Sequence, residues 1–350
     1  AGSMNVGSLA LTNNSSELTL ESAIRVSGTT TFNGGTITMK TGELAHNFGT
    51  LGTAILDLGS TLTVTGASTD EAKKAILAGD ISLTTGRNNL TLTNTILNGN
   101  LTVADNKDNT LTMSDADING TLTLEGGTFN VSGGINTAKE ISMRQHANMV
   151  VAEGATFRAT TTVVNADASL TIEGKMDGNV RIDGGTVTMG EKSSNPTTTS
   201  LEGNMTVTKG DFNYYSGLIG GKVILNGAST GEAVVHIMRD STTTNSNILD
   251  IQNYGTFDLQ ADMNFLGTFS GASTLTVEGK GNLTLSQNSQ YVGNIFYSAG
   301  TLTLNAQNAL GASGNLVLTE DHASIVTAAD QNKNVTGKNL EMTVDTADHS

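Results

Sequence analysis

The chain has 350 residues, a formal net charge of −15, 41 Gly, 1 Pro and no Cys or Trp. Without Cys it has no disulfide framework and no thiolate-bound zinc or iron–sulfur site. The excess of acidic residues argues against nucleic acid or an anionic membrane as a general partner. Threonine dominates the polar residues, and because Thr favours strands over helices, a helical bundle is disfavoured.

The two ends and the interruptions of the chain bear on its domain organisation. Residues 1–4 read Ala-Gly-Ser-Met, and we expect them to be a cloning scar. Residues 191–199 and 239–247 predict loops, but neither has the length or composition of an interdomain linker. We therefore predict a single domain over 5–350. The capping box at 68–71 leaves open whether 72–77 forms a short helix.

Internal repetition is the strongest feature of the sequence. The segment 96–103, Ile-Leu-Asn-Gly-Asn-Leu-Thr-Val, returns about 21 residues later in 118–124, Ile-Asn-Gly-Thr-Leu-Thr-Leu. A second phrase begins with Gly-Gly-Thr at 34–39, 126–131 and 184–189. Alternation of apolar residues with Thr predicts very short strands with one apolar face, and Gly and Asn between them predict turns.

No such unit buries its apolar residues alone, whereas stacked units share one continuous core. Three short strands fit in each repeat. We therefore predict an all-β fold, a right-handed parallel β-helix with three strands per turn and roughly 16 turns, from a repeat of about 21 residues. A β-sandwich is disfavoured because its strands are longer and lack a fixed period.

The segment 282–318 adds a family resemblance. It reads as a strand at 282–286, Tyr291-Val-Gly293, Gly300-Thr-Leu-Thr-Leu304, Asn308-Ala-Leu-Gly311 and a strand at 316–318. This order resembles the passenger-associated repeat of bacterial autotransporters, the type V secretion family. Asn294 and Ile295 depart from the Gly-Thr that usually follows Tyr-x-Gly in that repeat.

The resemblance implies a passenger domain that reaches the bacterial surface through a C-terminal translocator barrel, which we expect to lie outside this sequence. It also implies a location at the cell surface, anchored to the outer membrane, or secretion. Passenger β-helices without a protease domain are mostly adhesins or self-association factors. We therefore expect a non-enzymatic adhesin without a cofactor, a bound metal, a nucleic-acid partner or membrane insertion of its own.

Repetition also predicts candidate binding residues, because equivalent positions of successive turns form polar ladders. Asn98 aligns with Asn119, and Asn100 aligns with Thr121. Many weak hydrogen bonds along such ladders favour self-association between cells, in aggregation or biofilm, and attachment. Recognition of a host glycan or an extracellular matrix protein is the alternative.

Acidic turns between the strands form a second candidate set. Asp105, Asp108, Asp115 and Asp117 are either solvated turn residues that add to the binding surface or a cluster that holds an ion. Residues 115–120 begin like an EF-hand loop, but the twelfth position is Gly126, where a bidentate Glu is required. A solvated turn is therefore favoured.

Enzymatic alternatives are weaker. The string Gly227-Ala-Ser-Thr-Gly231 matches a nucleophile elbow, but Glu232-Ala-Val-Val-His236 reads as a strand where a helix should follow Ser229. We predict a turn there. The five histidines show no metal spacing and no nearby acidic pairing that suggests a catalytic triad. Polysaccharide cleavage by an acidic groove stays as the enzymatic alternative.

The aromatic segment 212–215 has two interpretations: an exposed loop patch that contacts a partner, or aromatic rings that pack in or beside the core.

Overall fold

The structure is a computed structural model. It describes residues 4–6, 8–11, 17–20, 24–26, 30–33, 36–40, 49–50, 54–71, 74–192, 198–242, 248–311, 313–320, 324–327, 334–337 and 341–344.

The described residues form forty short strands. The first twenty are β1 (Met4–Val6), β2 (Leu9–Leu11), β3 (Glu17–Leu20), β4 (Ile24–Val26), β5 (Thr30–Asn33), β6 (Thr36–Lys40), β7 (Gly49–Thr50), β8 (Ala54–Asp57), β9 (Thr61–Thr65), β10 (Ala75–Ala78), β11 (Ile81–Leu83), β12 (Asn89–Thr93), β13 (Thr95–Asn98), β14 (Leu101–Val103), β15 (Thr110–Ser114), β16 (Asp117–Leu124), β17 (Thr128–Gly133), β18 (Ile135–Met143), β19 (Asn148–Val151) and β20 (Thr156–Asn165). The others are β21 (Ser169–Ile172), β22 (Lys175–Met189), β23 (Ser200–Leu201), β24 (Met205–Tyr214), β25 (Leu218–Ile219), β26 (Val223–Leu225), β27 (Ala233–Ile237), β28 (Ser241–Thr242), β29 (Ile248–Ile251), β30 (Tyr254–Leu259), β31 (Met263–Phe265), β32 (Thr268–Gly271), β33 (Thr274–Gly279), β34 (Leu283–Leu285), β35 (Asn294–Tyr297), β36 (Thr301–Leu304), β37 (Asn315–Leu318), β38 (Ser324–Thr327), β39 (Asn334–Gly337) and β40 (Glu341–Val344).

The chain divides into two compact units, Ala1–Gly178 and Asn179–Ser350. A solenoid is built from like units that contact only their neighbours, so this division is compatible with one domain or two. The single domain over 5–350 stays a prediction.

In the first unit the strands stack in three parallel columns. One column contains β7, β10 and β13 with the first residues of β16 and β18, and the second contains β8, β11 and β14 with the last residues of β16 and β18. The third contains β6, β9, β12, β15, β17, β19 and β21. The predicted parallel β-helix with three strands per turn is confirmed.

The second unit has the same organisation. Its three columns are β26, β29 and β32; then β27, β30, β33, β35, β37 and β39; and then β28, β31, β34, β36, β38 and β40. The strands predicted at 282–286 and 316–318 are present as Leu283–Leu285 and Asn315–Leu318.

One vertical row of side chains shows how the core forms. Equivalent positions of successive turns hold Leu62, Leu90, Leu111, Phe129, Met149 and Leu170, each at most 1% exposed. Full burial of one such side chain contributes about 1.5–3 kcal/mol. Stacking therefore buries apolar side chains that would be exposed to water in a single isolated turn.

Within the described residues the solenoid has about 12 turns, fewer than the roughly 16 turns predicted for the full chain from a uniform repeat. The repeat is not uniform. Hydrogen bonds between successive turns join residues that are 28 apart at Thr84 and Leu56 but only 18 apart at Lys222 and Asn204. The number of residues per turn therefore varies from corner to corner on both sides of the repeat of about 21 residues.

Several local predictions have a clear outcome. The question left open at 72–77 is decided for its last residues, because Ala75–Ala78 is strand β10 in register with Thr95–Asn98, while 72–73 lie outside the described residues. The loops predicted at 191–199 and 239–247 lie partly outside the described residues, which omit 193–197 and 243–247. In the part of the chain that the structure describes, no helix has the length and apolar character to cross a membrane.

The aromatic segment 212–215 belongs mainly to the core. Phe212 is completely buried, Tyr214 is 7% exposed, and their rings meet edge to face at 6.1 Å between centroids. Tyr214 donates its hydroxyl hydrogen to the carbonyl of Gly217 at 2.7 Å. Of the two interpretations of this segment, ring packing is correct for these two residues.

Candidate functional site

The first predicted ladder pair forms as expected. Asn98 ends strand β13 and Asn119 lies in β16, one turn further along. Both residues are exposed, and the Nδ2 of Asn119 donates to the Oδ1 of Asn98 at 2.6 Å. The two amides are therefore stacked at the surface, where their outer donors and acceptors face solvent.

The polar atoms of the second predicted pair form hydrogen bonds to neighbouring turns of the protein. The Oδ1 of Asn100 accepts the backbone N–H of Thr121 at 3.0 Å. Asn100 in turn donates its own N–H to Oδ1 of Asp80 at 2.7 Å. Each corner oxygen thus satisfies the first N–H of the next turn, so this pair stabilises the corner as well as facing solvent.

The same device recurs in the second unit. Backbone N–H groups of Asn204, Lys222, Asp262, Asn282, Thr301 and Asn315 donate to side-chain oxygens one turn earlier, at 2.7 to 3.0 Å. This explains why Asn and Asp recur before strands, because a short side chain with a carbonyl or carboxylate oxygen reaches the next turn.

Asp105 and Asp108 lie at another corner, between β14 and β15. The Oδ1 of Asp105 is 3.3 Å from Nδ1 of His146, and an Oδ2 of Asp108 is 3.5 Å from Nε of Arg87. All four side chains are substantially exposed. Arg87 and Asp108 lie in successive turns, whereas Asp105 and His146 are 41 residues, or two turns, apart. Both pairs are solvated, and an ion pair in water contributes little to stability.

Asp115 and Asp117 lie at the corner between β15 and β16 and have internal partners. Asp115 has a φ of 51° and accepts the N–H of Ile135 at 3.1 Å. The two oxygens of Asp117 contact Nζ of Lys74 at 2.5 Å and the hydroxyl of Thr137 at 2.6 Å.

The four aspartates therefore belong to two corners and to separate contacts. Among the residues that the structure describes, no three or more His, Cys, Asp or Glu side chains are grouped to hold a metal ion. The ion-holding cluster, the disfavoured interpretation of these turns, has no support in this geometry.

A polar cluster that the sequence did not indicate lies on β27 and its neighbours. The Nδ1 of His236 is 2.7 Å from Oδ2 of Asp258, and its Nε2 is 3.1 Å from Oδ1 of Asp211. The Nε2 of Gln260 donates to both oxygens of Asp258 at 2.7 Å. The sequence did not indicate an acidic partner for any histidine, whereas the structure gives such partners to His236 and, at 3.3 Å from Asp105, to His146.

The protonation of His236 follows from this geometry. Burial acts to lower its pKa, but hydrogen bonds and charges from Asp211 and Asp258 outweigh burial and raise the pKa above its ordinary value. Two carboxylates thus favour the imidazolium. Its partners are 22 and 25 residues away in sequence, and only the register of neighbouring turns brings them together.

The nucleophile-elbow string forms a turn, as predicted. Ser229 is exposed and precedes strand β27, which begins at Ala233. The Oε2 of Glu232 accepts the backbone N–H groups of Ala228 and Ser229 at 2.9 and 3.1 Å. The segment is therefore a capped turn that leads into a strand, without the helix an elbow requires.

Comparison with known proteins adds no name to this site. No family model, curated protein or solved structure matches the chain. The geometry above is therefore the basis for assigning a function: an exposed amide ladder at one edge of the first unit, and a histidine between two carboxylates in the second.

Proposed function

We propose that this chain is the passenger domain of a bacterial autotransporter adhesin, displayed at or released from the cell surface. It mediates self-association between cells and attachment through polar ladders along the solenoid. The resemblance of 282–318 to the passenger-associated repeat supports this proposal, as does the parallel β-solenoid itself, which presents identical groups at a fixed interval.

One observation carries the proposal. Asn98 and Asn119 are exposed and stacked in adjacent turns, with 2.6 Å between Nδ2 and Oδ1. Successive turns repeat about every 4.8 Å, so a second copy presents its amides with the same spacing. Because an amide both donates and accepts, two such ladders are complementary to each other.

The energy of such contacts depends on their number. One hydrogen bond across two ladders nets about 0.5–1.5 kcal/mol, which is too little to overcome the cost of association. The exposed polar side chains of Asp105 and Asp108 extend the surface at another corner of the same turns. Many weak contacts on many displayed chains then give adhesion that is multivalent and reversible.

The test is display of this chain on a bacterium that does not clump. We expect the displaying cells to settle from suspension and the purified chain to sediment faster as its concentration rises. The double substitution Asn98→Ala, Asn119→Ala should slow settling severalfold. Asn226 and Asn288 are exposed asparagines outside the ladder, and their double alanine variant should settle like the parent.

Cells that stay suspended, together with a chain that remains monomeric at high concentration, contradict self-association. An array of host glycans and matrix proteins then tests the alternative partner. Binding that is lost in the Asn98→Ala, Asn119→Ala variant supports attachment through the same ladder.

A polysaccharide-cleaving enzyme is the second candidate, and the cluster around His236 is the observation that favours it. A histidine between two carboxylates, with Asp211 about half exposed, has the groups needed for proton transfer. Release of reducing ends from a panel of acidic and neutral polysaccharides, lost in His236→Gln, supports the enzyme. No release from any polymer contradicts it.

A further inference from the structure

The outward side of the third column in the first unit carries threonines at regular positions. We call the outward residues of β9, β12 and β15, with Thr128 of β17, the threonine face. In one row, Thr63 pairs with Thr91 and Thr91 with Thr112. In the adjacent row, Thr61, Asn89, Thr110 and Thr128 are vertical partners.

The register makes this face a two-dimensional lattice. Vertical partners in parallel strands are about 4.8 Å apart, and alternate residues of one strand are about 6.6 Å apart. The pairing runs without a shift from Thr61 to Met113. Thr is branched at Cβ, which restricts χ1 in strands, so few orientations of the hydroxyl and methyl groups are available in each row.

The hydroxyls of the face are available to a partner. Thr63, Thr91 and Thr112 are partly exposed, and within the described residues their hydroxyls make no hydrogen bond to the protein. Elsewhere in the unit threonines are used internally. The Oγ1 of Thr84 donates to the carbonyl of Leu56 at 3.0 Å, and that of Thr95 to the carbonyl of Thr93 at 2.9 Å.

The chemistry of the face limits its partner. The chain has a net charge of −15, yet the outward residues of β9, β12 and β15 include no charged side chain and no aromatic ring. A charged ligand finds no counter-charge there, and a polysaccharide finds no ring on which to stack. A neutral face with two fixed spacings suits a neutral partner that is itself periodic.

We propose that the threonine face binds the surface of crystalline water ice. The oxygen atoms on a prism face of ice form a rectangular net whose shorter repeat is close to the spacing of stacked strands and whose longer repeat somewhat exceeds the spacing of alternate residues in one strand. A hydroxyl can take the place of a lattice water because it both donates and accepts. The adjacent methyl orders nearby water without competing for its hydrogen bonds. This inference does not depend on the adhesin proposal.

The purified full chain tests the proposal. Fluorescently labelled chain should adsorb to a growing ice surface and slow the recrystallisation of a polycrystalline ice film. The double substitution Thr91→Tyr, Thr112→Tyr places two rings in the centre of the face. We expect at least a tenfold increase in the concentration needed for either effect.

A matched control comes from the neighbouring column. Thr102 and Thr123 are also outward vertical partners in β14 and β16. Their double tyrosine variant should bind ice like the parent. If the Thr91, Thr112 variant loses its circular dichroism spectrum, the substitutions Thr63→Lys and Thr110→Lys replace it, since both positions are partly exposed.

Three results overturn the proposal. One is a parent chain that adsorbs to ice no better than serum albumin. Another is a folded face variant with the activity of the parent. The third is an equal loss of ice binding in the variants of the threonine face and in the Thr102, Thr123 control variant. Loss of cell settling in the face variants, without any effect on ice, assigns the face to a second copy of the chain and likewise contradicts ice binding.

Discussion

The imidazole Nδ1 of His236 lies 2.7 Å from Oδ2 of Asp258, its register partner in the next turn. The Asp258 side chain is 11% exposed and the His236 side chain 25% exposed. The contact therefore joins two turns of the second unit through a charge-assisted hydrogen bond that solvent screens only in part.

This contact predicts a pH-dependent stability. Because the pKa of His236 is raised in the folded state, its contribution is fully present below the unfolded pKa of about 6.5 and is lost as pH rises through the folded pKa. We expect the parent to be less stable at pH 9 than at pH 6. His236→Gln should remove that part of the difference, costing about 1–2 kcal/mol at pH 6.

Urea denaturation of the parent and of His236→Gln, followed by circular dichroism at both pH values, measures this effect. The exposed His146, whose side chain is 72% exposed beside Asp105, provides the control variant His146→Gln. A parent and His236→Gln with the same pH dependence contradict the prediction.

A second prediction concerns the buried Lys74. Its side chain is 5% exposed, and its Nζ contacts Asp117 at 2.5 Å and Glu71 at 2.7 Å. Among the described residues, Asp117→Ala leaves Glu71, which is 70% exposed, as the acidic partner of this ammonium. We expect a loss of about 3 kcal/mol, the lower end for breaking a buried ion pair. The midpoint of urea unfolding measures the change.

The exposed pair of Asp108 with Arg87 supplies the comparison. Its partners are 41% and 81% exposed, so Asp108→Ala should change the free energy of unfolding by less than about 0.5 kcal/mol. Equal losses in Asp117→Ala and Asp108→Ala would falsify the assignment of Lys74 to a buried ion pair.

A third prediction concerns the buried amides of Asn88 and Asn109. Oδ1 of Asn109 accepts from both N and Nδ2 of Asn88, each at 3.1 Å, and its Nδ2 donates to the carbonyl of Thr84 at 3.0 Å. Asn109→Ala removes the acceptor of the Asn88 N–H and the donor to the Thr84 carbonyl in a site without solvent, although the Nδ2 of Asn88 keeps the carbonyl of Thr85 at 2.9 Å. The expected cost is about 3 kcal/mol.

The exposed ladder residue is the control, because Asn119→Ala should cost less than about 0.5 kcal/mol at a solvated position. Thermal unfolding of both variants distinguishes a buried amide from an exposed one. Similar melting temperatures for Asn109→Ala and the parent rule out a structural role for the buried pair.

A fourth prediction concerns the glycine of the repeated phrase. A Cβ added at Gly120 would lie 2.3 Å from the carbonyl oxygen of Gly99, one turn earlier. Gly120→Ala should therefore destabilise the first unit by about 1–3 kcal/mol, since the backbone at this corner must shift.

Gly154→Ala provides a control that distinguishes steric crowding of the new Cβ from strain in the backbone conformation. Gly154 has a φ of 78°, and a Cβ there meets nothing within 4 Å. Gly154→Ala should cost only the strain of a left-handed residue, about 1 kcal/mol. The ratio of native to unfolded chain at a fixed urea concentration measures the stability of both variants. If Gly120→Ala loses less stability than Gly154→Ala, the close approach of Gly120 to the Gly99 carbonyl is contradicted.

The sequence predicted the repeat more reliably than the role of individual polar residues. It identified Asn98 with Asn119, yet Asn88 and Asn109 have the same spacing of 21 residues and were not identified. The first pair is exposed and the second is completely buried. At corners the alternation of inward and outward residues is interrupted, so spacing in the sequence does not reveal whether a side chain points into the core or towards solvent.

The sequence by itself determined the strands, their alternating faces and their parallel stacking, because the period of two within a strand and the longer repeat are both local properties of the chain. Only the tertiary structure decided which polar groups meet, as in the pairing of Lys74 with Asp117 and the placement of His236 between two carboxylates. The physical reason is the register between turns. The step between turns changes from corner to corner, and each step decides which side chains of adjacent turns become neighbours.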